Sequence, residues 1–386
     1  MATIGIPKEI APHETRVAAM PETVAKMIKA GMKVQIERGA GLTSCIADTH
    51  YQNAGAVIIK DANQLYQTSS VILKVQPPCA PDEMDLLQAD TCLIAPFIPT
   101  EETSLITTLK QKHITAFSLM LLPRIARAQS MDILSSMNNL AGYKSVITAA
   151  HYSQKIFPML TTAAGTIIPA KVIVIGAGVA GLQAIATAHR LGAVVTAFDT
   201  RPAAEEQVKS LGASFVRLET AQDMQDKDGY AKEQSAEFYA HEQAAILPHL
   251  KEADVVITTA LIPGKRAPLL ITDAMVKQMK RGAVIIDLAI EHQGNCELAL
   301  ADQVVTKYGV TILGLANLAC LMPTQASPLF AKNMLAFLQY IAPQLEAHQF
   351  DMHDDIIKNT LVTQKGNVVH PSLAPFFTEG QPRYAT

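Results

Sequence analysis

The chain contains no tryptophan, and with nine tyrosines and eleven phenylalanines in 386 residues it has little from which to build a base-stacking platform for nucleic acid. It also lacks an excess of either charge. The 32 Lys and Arg against 35 Asp and Glu leave a formal net charge of −3, without the basic footprint that a phosphate backbone or an anionic membrane surface demands. Nucleic acid is therefore not expected as a partner. The five cysteines, Cys45, Cys79, Cys92, Cys296 and Cys320, are odd in number, scattered and free of any C-x-x-C pair. They read as reduced core residues and not as a disulfide frame or a zinc site. The histidines offer no metal-ligand spacing either: His151 lies in a long helical pattern, His241 and His249 flank a helix, and His370 precedes a proline. No metal is expected. The opening MATIGIPKEI starts at once on a strand and has no region of a signal peptide, which points to the cytoplasm. The most apolar stretch, residues 163 to 188, is interrupted by Pro169, Lys171 and glycines, and reads as buried structure instead of a membrane span.

What is present is an alternation of strands and helices. The first 120 residues run TIGIP, a helix near Glu22 to Ala30, KVQIE, a helix near Asp48 to Ala54, AVII, SVILKV, CLIAPF, a helix near Glu101 to Lys112, and ITAFSL. That order implies a parallel, doubly wound sheet. One long helical pattern follows, from about Ala128 to Phe157. A second series then runs KVIVI, AVVTAFD, SFVRL, DVVITTA, AVIIDLA and VTILGLA, and a helix over 327 to 345 returns to the first domain. The tail NTLVTQKGNVV reads as a hairpin turning at Lys365-Gly366. The expected division is residues 1–127 with 327–386, and residues 128–326.

Only the second series carries a glycine fingerprint. In VIVIGAGVAG, Gly176, Gly178 and Gly181 satisfy G-x-G-x-x-G between a buried strand and a helix that runs from Val179 to Leu191. Asp199 ends the next strand, where such a unit places the acid that accepts the adenosine ribose hydroxyls. Gly176 makes the tight turn, Gly178 lets backbone approach a pyrophosphate, and Gly181 lets helix and strand pack closely. Ala177 and Val179 complete that turn, and Thr200 and Arg201 follow the acid. A carboxylate at Asp199 suits a free 2′-hydroxyl, so NAD(H) is favoured over NADP(H), although Arg201 is a residue type that can accommodate a 2′-phosphate. The fold class is thus α/β, with two Rossmann-like doubly wound parallel-sheet domains joined by long helices.

No general base is evident. Strand ends offer Lys74, Arg16 and Arg124, and the segment opened by Arg124 puts Gln129, Asp132 and Ser135 at a helix entrance. That cluster is either a capping sequence or a polar set that orients a nicotinamide by hydrogen bonds. Between strands three and four of the second series lies DMQDKDGYAKEQSAEFYAHE, with Gly229 and Tyr230 inside it, either a surface decoration or a mobile flap.

Taken together, PRIARAQSMDILSSMNNLAGYKSV, AAGTIIPAKVIVIGAGVAGLQAIATAHRLGAVV, TTALIPGKRAPLLIT, GAVIIDLAIEHQGN and ASPLFAKN resemble the soluble NAD(H)-binding component of proton-translocating transhydrogenases, end to end. The resemblance implies hydride transfer between NAD(H) held here and NADP(H) on a partner subunit, coupled to proton passage through membrane-spanning subunits. It implies a homodimer, and a cytoplasmic place peripheral to the inner membrane. Arg124, Gln129, Asp132 and Ser135 match the nicotinamide-side loop. Gly176 to Gly181 and Asp199 to Arg201 match phosphate and ribose contacts, Gly229 and Tyr230 match a closing flap, and Leu261 joins the cofactor contacts. Glu242, with Gln243 beside it, stands where some relatives carry a glutamine. The related alanine dehydrogenases share the two domains. They also imply a carboxylate-binding Arg and Lys, for which Arg16 and Lys74 are present, and a catalytic histidine, which residues 91 to 100 lack.

Overall fold

The computed structural model describes residues 2–78, 80–218, 235–262, 266–347, 349–373 and 377. The chain forms two compact units, Met1–Met137 with Met322–Thr386, and Asn138–Leu321. In chain order the strands are β1 (Thr3–Ile6), β2 (Lys33–Glu37), β3 (Val57–Ile59), β4 (Val71–Leu73), β5 (Cys92–Ala95), β6 (Thr115–Ser118), β7 (Leu160–Thr162), β8 (Gly165–Ile167), β9 (Lys171–Ile175), β10 (Val194–Phe198), β11 (Ser214–Val216), β12 (Val255–Thr258), β13 (Val284–Asp287), β14 (Gln303–Lys307), β15 (Val310–Gly314), β16 (Leu361–Gln364) and β17 (Asn367–Val368).

The first sheet has the order β17-β16-β6-β5-β4-β1-β2-β3, and the second β11-β10-β9-β12-β13-β15-β14. In each, six parallel strands follow the doubly wound order 3-2-1-4-5-6, so the direction of winding reverses beside the first strand, between β1 and β4 and again between β9 and β12. Both sheet faces are covered, and for that reason the inner strands read as unbroken apolar runs. Alternate residues of one strand enter different cores: Val172 and Val174 of β9 join Val255, Val284 and Ile286 on one face, whereas Ile173 and Ile175 join Val256 and Ile285 on the other.

The parallel sheets and the final hairpin agree with the sequence reading; Lys365 (φ 49°) and Gly366 (φ 77°) are both left-handed, as a two-residue turn between twisted strands requires. Other expectations need correction. The long helix over 128 to 157 is in fact a 3-10 segment, Ala126–Met131, and a helix, Ile133–Tyr152. The break falls at Asp132 (φ −74°, ψ 93°), where Oδ1 accepts the backbone N–H of Ser135 at 2.9 Å and so caps the helix start. At the far end, Ser153 Oγ accepts the N–H of Lys155 and turns the chain into an exposed hairpin of β7 and β8 that periodicity does not reveal. The returning helix begins earlier than expected, as Pro323–Ala347. Cys92, Cys296 and Cys320 are buried, but Cys45 is exposed.

Among the described residues no helix is long and apolar enough to cross a membrane, and no group of His, Cys, Asp and Glu could hold a metal ion.

Candidate functional site

The glycine turn lies at the carboxyl end of β9, at the reversal point of the second sheet. Each glycine has a separate steric reason. Gly176 has φ 97°, and a Cβ there would stand 2.6 Å from Thr259 Oγ1. A Cβ on Gly181 would stand 1.8 Å from the Gly176 carbonyl oxygen, so the helix Val179–Arg190 can leave the strand at this angle only without one. Gly178 differs, because a Cβ there would meet nothing within 4 Å. Its glycine character relieves no crowding inside the protein and instead keeps the surface of the turn open to a ligand. Gly178 is also the N-cap, and no side chain caps the helix. Its first-turn N–H groups thus form an anion-attracting end. Helix Ile133–Tyr152 packs close to this turn, since a Cβ on Gly142 would sit 2.1 Å from the carbonyl oxygen of Ala180.

The strand-end acid is tied to the same turn. Asp199 Oδ2 accepts the backbone N–H of Ala177 at 2.7 Å, and Oδ1 accepts the N–H of Arg201 at 2.9 Å. Arg201 then closes a fork, with Nε donating to Oδ1 and Nη2 to Oδ2, each at 2.8 Å. Thr200 and Val179 are half-buried at the rim. Across from β9, Thr259 Oγ1 donates to the Gly176 carbonyl at 2.9 Å, and Leu261, half-buried, lies two residues beyond in the loop leaving β12. Sequence reasoning names Leu261 but misses Thr259, which the repeated Thr of DVVITTA at the end of β12 could have flagged. Of the paired candidates on the helix Ala236–Glu252, Gln243 is turned away, its Nε2 donating to the Leu269 carbonyl at 2.9 Å. Glu242 is 1% exposed, and burial, reinforced by the nearby Asp199 carboxylate, pushes its carboxyl up to about 8. Gly229 and Tyr230 lie outside the described residues.

Arg124, Gln129, Asp132 and Ser135 belong to the other unit. Arg124 and Gln129 are exposed there, whereas Asp132 is half-buried and receives the Ser135 hydroxyl on Oδ2 at 2.5 Å as well as its N–H on Oδ1. The capping alternative therefore describes Asp132 and Ser135. Gln129 is joined to the cap through its carbonyl, which accepts the N–H of Asp132 at 3.3 Å.

The reversal point of the first sheet is furnished differently. Lys74, immediately after β4 and fully buried, donates to Glu9 Oε2 at 3.0 Å and Glu83 Oε1 at 2.5 Å. Arg16 forks onto Glu14, with Nε to Oε1 at 2.8 Å and Nη2 to Oε2 at 2.6 Å. Burial raises the Glu14 carboxyl, but the Arg16 bonds outweigh it and hold the group at about 2.

Residues 5–141 match the N-terminal domain of the family described as alanine dehydrogenase/PNT, and residues 145–371 match its C-terminal domain. An NAD(P) transhydrogenase subunit alpha chain of Rhodospirillum rubrum is 46% identical over 377 residues, which cover 96% of this chain and 98% of that protein. A solved structure of transhydrogenase from Sinorhizobium meliloti superposes with a TM-score of 0.84 at 43% identity, covering 96% of this chain and 99% of that one. A solved L-alanine dehydrogenase is also similar, with a TM-score of 0.80 at 28% identity over 97% of this chain and 99% of its own.

Proposed function

The chain belongs to the alanine dehydrogenase/PNT family and is a transhydrogenase-type oxidoreductase component, and from that premise we propose that it holds NAD(H) and exchanges hydride with NADP(H) carried by a partner subunit. The observation that carries this reading is Gly178: the turn is open at the one glycine that internal packing does not require, directly before a helix whose start no side chain caps. A pyrophosphate placed there receives the orphan N–H groups, and the helix dipole favours its charge.

Bound nicotinamide supplies the hydride donor or acceptor; the chain supplies placement. Asp199, at the end of β10, accepts the ribose hydroxyls and disfavours a 2′-phosphate, which supports NAD(H) as the nucleotide held here. Arg124 and Gln129, exposed beside a helix start fixed by Asp132 and Ser135, orient the nicotinamide amide and ribose. Exchange between two nicotinamides transfers a hydride and no proton, so such a site needs alignment and exclusion of water but no general base. Proton movement then belongs to membrane-spanning partner subunits, and the chain sits at the cytoplasmic face of the inner membrane through them. A homodimer is supported by the β7–β8 hairpin, on which Met159, Leu160, Ile167 and Ile168 are all exposed. A lone two-stranded hairpin is marginal in water and gains from a partner surface.

The alternative, an alanine dehydrogenase-like enzyme, requires cationic side chains ready for a substrate carboxylate. Here Arg16 and Lys74 already hold the carboxylates of Glu14, Glu9 and Glu83, which favours the transhydrogenase reading. The test is reconstitution with a transhydrogenase NADP(H)-binding component. Hydride transfer from NADH to an NADP analogue is expected, with no turnover of L-alanine and NAD by the chain alone; the reverse pattern overturns the proposal.

A further inference from the structure

The loop that leaves β12 faces the glycine turn, and its two stems are held by one buried side chain. Asn295 is fully buried, and its amide spans the loop. Oδ1 accepts the N–H of Ala260 at 3.1 Å, while Nδ2 donates to the carbonyls of Ala260 and Pro268, each at 2.9 Å. Its backbone carbonyl takes two further donors from the same loop, the N–H groups of Leu270 and Ile271, both at 2.9 Å. Asn295 is in turn fixed by Asp287 at the end of β13. Asp287 Oδ2 accepts the N–H groups of Asn295 and Cys296 at 2.8 Å, and Oδ1 accepts that of Ala289 at 2.9 Å. Only glycine suits the intervening position: Gly294 has φ 74°, and a Cβ there would stand 2.7 Å from Asp287 Oδ2.

We propose that Asn295 is the positioning residue of the nucleotide site: by clamping Ala260 to Pro268 it sets Thr259 against Gly176 and presents Leu261. The inference rests on the reading of Gly176 to Gly181 as the nucleotide turn. Its physical basis is that an amide is the one side chain able to accept from an N–H and donate to two carbonyls at once. Aspartate has the same shape, accepts at Ala260, and cannot donate while ionised. Alanine does neither.

The test measures NADH affinity by fluorescence titration, and unfolding temperature without ligand, for the wild type, Asn295→Asp, Asn295→Ala and Thr259→Val. Met279→Ala, a core truncation elsewhere in the second unit, is the stability control. Asn295→Ala is expected to weaken NADH binding by on the order of 10- to 100-fold, the range that leaving a few buried partners unpaired implies. Asn295→Asp should show a similar loss at pH 8 and recover part of it at pH 6, because a protonated carboxyl donates to one carbonyl again; Asn295→Ala should not recover. Thr259→Val, which keeps volume and removes only the link to Gly176, should lose affinity in the same direction and serves if both Asn295 variants fail to fold. Affinities within twofold of the wild type in the variants that fold overturn the proposal. So does an equal loss in Met279→Ala, which would make the effect one of general stability. A wild type that fails to bind NADH at all overturns the underlying reading of the turn, an outcome separate from a wild type that binds and variants that are unaffected.

Discussion

Arg201 lies across the carboxylate of Asp199 as a fork, with both N–H···O distances at 2.8 Å, and with the N–H groups of Ala177 and Arg201 this gives the acid four donors. An acid so occupied is a weaker repellent of a 2′-phosphate than a bare one, and it must loosen one bond to accept a ribose hydroxyl. Asp199→Ala should therefore act in two ways. It should weaken NADH binding by about 1 to 3 kcal/mol, the cost of unpaired hydroxyls, and it should release Arg201 toward a 2′-phosphate, narrowing the gap to NADPH. Calorimetry with both nucleotides checks this; an unchanged ratio of the two affinities would remove Asp199 from the discrimination.

Gln129 is exposed and its side chain supports no packing, so its removal should leave stability alone. In the reconstituted complex, Gln129→Ala is expected to slow hydride transfer far more than it weakens NADH binding, because misaligning the rings by about 1 Å can cost on the order of 100-fold in rate. Single-turnover kinetics separate the two effects. A loss confined to affinity assigns the side chain to uniform binding.

Glu242 gives a pH dependence of definite sign. Its carboxyl is raised to about 8 by burial and by Asp199, so the folded protein holds a proton there that the unfolded chain has released above the ordinary carboxylate range. Stability from this group is therefore lost as pH rises from about 4.5 toward 8. Glu242→Gln, neutral throughout, should match the wild type near pH 5 and exceed it near pH 9 by on the order of 1 to 3 kcal/mol. Denaturant unfolding at the two pH values reads this directly, and a difference that does not change with pH contradicts it.

The exposed hairpin offers a test of assembly. If β7 and β8 bury Leu160 and Ile167 against a second copy, Ile167→Asp should shift the protein from dimer toward monomer in sedimentation velocity while unfolding of the isolated chain is little affected, since the site is exposed within one protomer. A dimer of unchanged stability places the interface elsewhere.

The sheets were legible because parallel strands covered on both faces become short apolar runs, and runs such as KVIVI and DVVITTA have no competing pattern. β14 was not, although Tyr308 and Gly309 between QVVTK and VTILG are both left-handed in the structure and make a hairpin turn. Its residues are mostly exposed, so only the turn marked it. The continuous helix over Ala128 to Phe157 failed for a similar reason: small and polar residues carry little period, and Asp132 at the break looks from sequence like any surface acid. At the site, the glycines and Asp199 were readable because their spacing is short and local. Asn295 was not, since it acts on Ala260 and Pro268, 35 and 27 residues away, and a single buried amide leaves no pattern in the chain.

The two sheets share one winding order, and yet the point where each reverses is put to opposite use: Lys74 and two glutamates plug the first, and Gly178 leaves the second open. Equivalent addresses in the two halves should thus answer to different selection. In a saturation scan scored for both abundance and activity, changes at Lys74 or Glu83 should deplete the protein itself, because a stranded buried charge costs several kcal/mol. Changes at Gly178, with free space for a side chain, should leave abundance nearly intact and remove activity. One architecture used twice would then yield two separable phenotypes, one half read out in how much protein a cell keeps and the other in what that protein does.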